Sequence, residues 1–222
     1  TATSDSGHHA LSVTEGSWAM NNPNAERDWG WRSIGETHRV AQALIGAFYD
    51  GASEQAIFQG CSTGGRMAHM AAIRYPEMFQ GIISGAPAMN YTDLVGTAMS
   101  YFMQANTGPD GAQILTSAKV GLVQEAVMAQ CDGADGAEDG VIGDPRACEV
   151  DLSELACSEA GGACLSAEEI GVIEAWRQGP VNAAGDRLYP GGIPEGSEPF
   201  WPLWLTGTEG GGGRLVNAFA TG

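Results

Sequence analysis

Positive charge is scarce in this chain of 222 residues: Lys and Arg together number 10 against 27 Asp and Glu, leaving a net charge of -17. Such a surface repels nucleic-acid phosphates and anionic lipid headgroups, so neither nucleic-acid binding nor electrostatic attachment to a membrane is expected. No run of about 18 apolar residues occurs, which excludes a membrane-spanning helix from the reading. The opening TATSDSGHH has neither the basic start nor the apolar stretch of a signal peptide, as expected of a mature terminus or a cut chain. No C-x-x-C pair is present, and His8, His9, His38 and His69 all lie upstream of the cysteine cluster, which argues against a zinc site. Nor is there an internal repeat.

What remains is a globular composition, 43% hydrophobic and 17% charged, in a chain long enough to bury a core. The five cysteines are Cys61, Cys131, Cys148, Cys157 and Cys164. Sequential pairing, Cys131 with Cys148 and Cys157 with Cys164, would close two short loops of a kind common in exported proteins, and would leave Cys61 over.

Ile34, Ala41, Leu44, Ile45 and Phe48 recur at helical spacing, which predicts an amphipathic helix from Asp28 to Tyr49 packed on a sheet and stopped at Asp50-Gly51. A short buried strand is expected over Gln55 to Gln59, a second helix from the GCSTGG turn to about Tyr75, and another strand at Gly81 to Gly85. Helix, strand, helix, strand is the pattern of a parallel α/β sheet. Beyond Pro87 the pattern gives way to Gly, Asp and Pro, with helices expected over Ser117 to Gln130 and Ser166 to Gln178. That change marks a boundary near Ala88 to Asp93, dividing residues 1–89 from an irregular insertion or cap over 90–222.

Gly60-Cys61-Ser62-Thr63-Gly64 fits G-x-S-x-G, the nucleophile elbow, in which a serine stands on a strained strand-to-helix turn and the following N–H faces a developing oxyanion. With 33 glycines in the chain the pattern by itself fits an ordinary Gly-rich turn as well. A catalytic serine also needs a base and an orienting carboxylate, which in this architecture follow in the order Ser, Asp or Glu, His. The last histidine here is His69, seven residues after Ser62. Either the serine is not catalytic, or its histidine lies outside this chain.

The stretch GCSTGGRMAHMAAIRYPEMFQGIISGAPA, Gly60 to Ala88, resembles the tannase and feruloyl esterase family, which includes the hydrolase of mono(2-hydroxyethyl) terephthalate. SDSGH at Ser4 to His8, CDGADGAEDGVIGDP at Cys131 to Pro145, and the RLYPGG and WPLWL stretches extend the resemblance over nearly the whole chain, in the family's order. It implies part of an α/β-hydrolase core, carrying the elbow, with a large lid domain inserted after the GAPA strand. It further implies Ser62 as nucleophile and the Thr63 backbone N–H as one oxyanion donor. By the same resemblance Cys61 looks like half of a bridge to a cysteine beside the catalytic histidine, with that partner, the histidine and the aspartate all beyond Gly222. The remainder of its own polypeptide is then a required partner, the isolated chain is expected to be inactive, and the locale is secreted or periplasmic.

Asp132, Asp135 and Asp139 could gather oxygens around a hard cation, although the spacing is not that of an EF-hand and a solvated acidic loop reads equally well. The family resemblance implies a structural Ca²⁺ there, held by those side chains and the carbonyls of Ala137 and Val141, with Cys131–Cys148 closing the loop. Trp201 and Trp204 are candidates for substrate contact or, alternatively, for the cap's own small core. His8 and His9 precede the nucleophile and read as structural, and Arg66 reads as an anchor of the elbow rather than a substrate ligand. Two functions stand: a serine hydrolase of aromatic acyl esters (feruloyl, galloyl or terephthaloyl), or a non-catalytic, calcium-stabilised binding protein on the same fold.

Overall fold

The computed structural model describes residues 1–12, 14–158 and 163–207. Residues 1–91 form one compact unit, and the described residues from 92 onward form a second.

In the first unit, α1 (Pro23–Arg27) starts on a proline, whose fixed φ suits a first helical position, with the Asn22 side chain accepting from the Ala25 N–H. The chain then widens into a π-helical turn, Asp28–Arg32, before continuing as α2 (Ser33–Tyr49). The expected single helix from Asp28 is therefore two pieces. The Ser33 hydroxyl reaches back five residues to donate to the Asp28 carbonyl at 2.8 Å, and Arg32 forks onto the Asp28 carboxylate from one turn on. Asp50, in the left-handed conformation at φ 54°, ends α2 as anticipated.

Two parallel strands, β1 (Ile57–Cys61) and β2 (Gly81–Gly85), pair in the register Ile57 to Gly81 through Cys61 to Gly85. They are joined across α3 (Thr63–Arg74). β2 falls where expected, but β1 lies two residues later than the apolar AIF run suggested. Gln80 causes the shift: its side chain and N–H bond the backbone of Ala56, which fixes where pairing begins. The consequence is functional, because the strand now ends at Cys61 and Ser62 follows it directly.

Only the N-terminal end of α2 is buried, at Ser33, Ile34 and Gly35. Gly35 is there because an added Cβ would stand 2.8 Å from the Tyr75 ring that terminates α3. Leu44 and Phe48, expected on the sheet-facing side, are 65% and 79% exposed. A helix of 17 residues runs about 25 Å, whereas a strand of five residues runs only about 17 Å, so the described strands are shorter than the helix.

The second unit is helical. The chain enters it in a three-residue turn α4 (Tyr91–Asp93), whose first residue ends the first unit, and runs through a π-helical stretch, Leu94–Met99, into α5 (Ser100–Ala105). Then α6 (Val120–Cys131), α7 (Ala167–Gln178) and the single turn α8 (Trp201–Trp204) follow. Both longer helices lie within a residue or a turn of their expected limits. α7 begins in a full capping box, Ser166 bonding the Glu169 N–H while the Glu169 carboxylate bonds back, which satisfies two otherwise orphaned donors. Its core is Leu115, Val123, Val127, Leu165, Ile173 and Trp176, all fully buried. The Trp176 indole N–H donates to the Phe102 carbonyl at 2.9 Å, so the one polar atom of this large side chain is satisfied. Cys131–Cys148 and Cys157–Cys164 are both bridged. Among the described residues no helix is long and apolar enough to cross a membrane.

Candidate active site

Ser62 stands between the end of β1 and the start of α3 with φ 58° and ψ -117°, a backbone state that costs a non-glycine residue on the order of 1–3 kcal/mol. The surroundings impose it. Its N–H donates to the Gly85 carbonyl at 3.0 Å, tying the turn to the end of β2, and its own carbonyl accepts from the Arg66 and Ala88 N–H groups, both at 3.1 Å. The backbone is thus held on three sides while the side chain is exposed and makes no capping bond to α3. Thr63 is the first residue of α3, so its N–H is among the donors that a helix start leaves without an intrahelical acceptor, at the positive end of the helix dipole. A nucleophile-sized hydroxyl therefore sits one residue before a donor free to receive an oxyanion.

The glycines permit this crowding, but not uniformly. A Cβ on Gly60 would lie 2.2 Å from the Gly64 carbonyl oxygen, and one on Gly65 would lie 2.5 Å from the Gly85 carbonyl oxygen and 2.8 Å from Pro87 Cα. A Cβ on Gly64 would meet nothing among the described residues. The second glycine of the pentapeptide is thus the open one, and Gly65, just outside the pattern, is where helix and sheet touch.

Residues 1–210 match the sequence pattern of the family described as tannase and feruloyl esterase. An esterase of Xanthomonas campestris pv. campestris is 38% identical over 231 aligned positions, covering 98% of this chain and 38% of that protein. A probable feruloyl esterase B of Emericella nidulans is 32% identical over 210 positions, covering 93% and 39%. The chain belongs to the tannase and feruloyl esterase family. The crystal structure of feruloyl esterase B from Aspergillus oryzae superposes with a TM-score of 0.76 at 26% identity, covering 85% of this chain and 38% of that one. The chain shares part of that protein's α/β-hydrolase fold and spans about two fifths of the length of the relatives it matches.

Against this family background the other predicted site residues fall as follows. Cys61 is unbridged and exposed, with Sγ 3.6 Å from where a Cβ on Gly85 would stand. In the acidic loop, a short 3-10 turn over Asp132–Asp135 ends at Gly136 with φ 97°. Asp132 accepts from the Gly140 N–H, Asp139 from the Val141 N–H, and Asp135 from the Ala137 and Gly143 N–H groups. The carboxylates fold the loop around themselves. The carbonyl-bearing residues Ala137 and Val141 are exposed. Among the described residues no three His, Cys, Asp or Glu side chains stand close enough together to hold a metal ion.

Trp201 is only 2% exposed, packed edge to face on Trp176 at 5.2 Å with its N–H donating to Ser197 Oγ, so it serves the second unit's own core. Trp204 is 38% exposed. His8 packs on Trp18 at 5.2 Å, and His9 pairs with Asp5 at the surface. Arg66 donates to two main-chain carbonyls, those of Trp29 at 2.9 Å and Gly30 at 3.2 Å. Burial pulls its guanidinium below the ordinary value, partly opposed by Tyr91. The contribution of Trp29 has no local signal: residue 29 meets residue 66 only through the fold.

Proposed function

We propose that the protein is a serine carboxylic-ester hydrolase acting on aromatic acyl esters of the feruloyl, galloyl or terephthaloyl type. The observation that carries this reading is the strained, exposed Ser62 at the start of α3, in a chain of this family. Ser62 Oγ attacks the ester carbonyl carbon as its proton passes to a histidine, and the negative charge collects on the carbonyl oxygen facing the Thr63 N–H. Collapse expels the alcohol, which takes the proton back and leaves an acyl-Ser62 ester. Water, deprotonated by the same histidine, then releases the aromatic acid and regenerates the serine. The histidine and its aspartate come from outside this chain, as does the cysteine that pairs with Cys61.

The second unit then acts as the lid, with Trp204 as its candidate aromatic contact, and the disulfides fit a secreted or periplasmic setting. The test is covalent. In the protein expressed from its complete reading frame, a p-nitrophenyl alkylphosphonate is expected to modify a single serine, with mass spectrometry placing the adduct on the peptide that ends at Arg66. Hydrolysis of a feruloyl ester with the adduct on another serine, or with none, excludes the proposal.

We further propose that the loop over residues 132–141 takes a structural Ca²⁺. Its donors, three carboxylates with the Ala137 and Val141 carbonyls, are hard oxygens of the type Ca²⁺ selects, and the ion would require the carboxylates to draw together from their present bonds to backbone N–H groups. Bound at a hundred times its dissociation constant, the ion would add about 2.7 kcal/mol, which in a chain of this size is a rise in Tm of about 5–10 °C. Chelation should lower Tm by that amount, re-addition of Ca²⁺ should restore it, and Asp139→Asn should remove the response. A Tm indifferent to chelator and to Ca²⁺ rules the site out.

A further inference from the structure

We infer that Arg66 is a positioning residue for the nucleophile, locking the first turn of α3 to the π-helical turn Asp28–Arg32 through a two-pronged bond and a stacked ring. The inference rests on Ser62 being the nucleophile and adds to that reading a residue on which its geometry depends.

The Arg66 guanidinium faces backbone and an aromatic ring instead of an acid. Its two terminal nitrogens donate separately, Nη2 to the Trp29 carbonyl at 2.9 Å and Nη1 to the Gly30 carbonyl at 3.2 Å, and its carbon lies 4.0 Å from the centre of the Trp29 ring. Among the described residues no carboxylate pairs with it, and its Nε is buried without a hydrogen-bond partner. Burying a cation with no counter-charge is costly, and a Met or Leu would fill similar space without that cost. What neither can do is bridge two carbonyls of one turn while placing a cation over an indole.

The anchored turn is itself fixed. Trp29 packs on Trp18 at 6.0 Å and on Tyr91 at 5.1 Å, and Trp18 carries His8. Gly7, at φ +81°, lies so close that a Cβ there would be 2.9 Å from the Ala25 carbonyl oxygen and from Asp28 Cβ. Segments around residues 7, 18 and 29 therefore meet in one block, and Arg66 ties α3 to it.

The other end of Arg66 is the elbow. Its own N–H donates to the Ser62 carbonyl, so the same residue closes the first turn above the nucleophile and clamps that turn to the block. The sheet side is held by Ser62 N–H to Gly85 and by the Ser84 hydroxyl on the Gly65 carbonyl at 3.1 Å. The far end of α3 stays docked on α2 and the π-helical turn through Tyr75 on Gly35 and Arg74 over Trp31, so without the fork its first turn is held on the sheet side alone and can rock about that end, moving Ser62 Oγ and the Thr63 N–H together. Because misplacement by about 1 Å costs as much as 100-fold in rate, the effect falls on turnover and not on substrate affinity.

The experiment compares Arg66→Met and Arg66→Lys in the protein expressed from its complete reading frame, using a feruloyl ester and a small phosphonate. Arg66→Met is expected to lower kcat about 30-fold with KM within about twofold, and the rate of phosphonate modification of Ser62 should fall in step, since it needs no acyl-group pocket. Arg66→Lys keeps the charge but cannot span both carbonyls, and should sit between, about tenfold down in kcat. Should Arg66→Met fail to fold, Arg66→Lys decides alone. A raised KM with unchanged kcat would make Arg66 a substrate ligand, and wild-type kcat in Arg66→Lys would show that the fork is not needed. Either overturns the inference. A failure of the nucleophile assignment is separately visible, because the phosphonate would then leave Ser62 unmodified in the parent enzyme.

Discussion

Ser62→Ala is expected to reduce ester hydrolysis by the full-length protein by a factor on the order of 10⁴ or more while leaving its unfolding midpoint unchanged. The loss is large because no other group can take the place of the attacking oxygen, and what survives is the contribution of oxyanion donors and binding alone. The fold should persist because the bonds Ser62 itself makes in the turn are main-chain: its N–H to Gly85, and its carbonyl to Arg66 and Ala88. The removed hydroxyl makes no capping bond. Alanine also suffers the same left-handed penalty as serine at φ 58°. Glycine does not, so Ser62→Gly should be equally inactive yet more stable than the parent by about 1 kcal/mol. That pairing separates a functional strain from an incidental one. Turnover within tenfold of wild type in either variant would falsify the assignment of Ser62, and an unfolded Ser62→Ala would mean that the hydroxyl holds the elbow rather than using it.

The candidate nucleophile was legible because its signal is local. A G-x-S-x-G pentapeptide after an apolar run and before a helical pattern needs only neighbouring residues to be recognised, and the β2 limits and the α7 start follow from equally short-range chemistry. The strand register was less legible, since it depends on Gln80 meeting Ala56 across the crossover helix. The π-helical turn was not legible at all. Asp28 to Arg32 carries no proline, and the widening goes with the Ser33 hydroxyl taking the Asp28 carbonyl and with Arg66 arriving from far along the chain. A π turn is often found at functional sites, but nothing within its own five residues announces it. The two tryptophans of WPLWL show the same limit from the other side. Their identities suit a binding surface or a core equally, and only the edge-to-face contact with Trp176 assigns Trp201 to the core.

The glycines of the elbow give the largest expected stability effects, and they distinguish steric need from motif membership. Gly60→Ala and Gly65→Ala should each destabilise the first unit by about 3 kcal/mol or more, because the new methyl meets backbone, which cannot swing aside as a side-chain tip would. For Gly60 the obstacle is the Gly64 carbonyl, 2.2 Å away, which is the first turn of α3 resting on the end of β1. For Gly65 it is the Gly85 carbonyl, the same oxygen that accepts the Ser62 N–H. Pushing α3 off that point therefore also breaks the bond that sets the nucleophile, so activity should fall further than stability alone predicts. Gly64→Ala is the control: it is helical, meets nothing among the described residues, and should raise stability by up to about 1 kcal/mol by restricting the unfolded chain. Denaturant midpoints of the three variants, measured in the same protein, check the ordering. If Gly65→Ala unfolds at the same midpoint as Gly64→Ala, the close approach of α3 to the end of β2 is not what holds Ser62 in its strained turn.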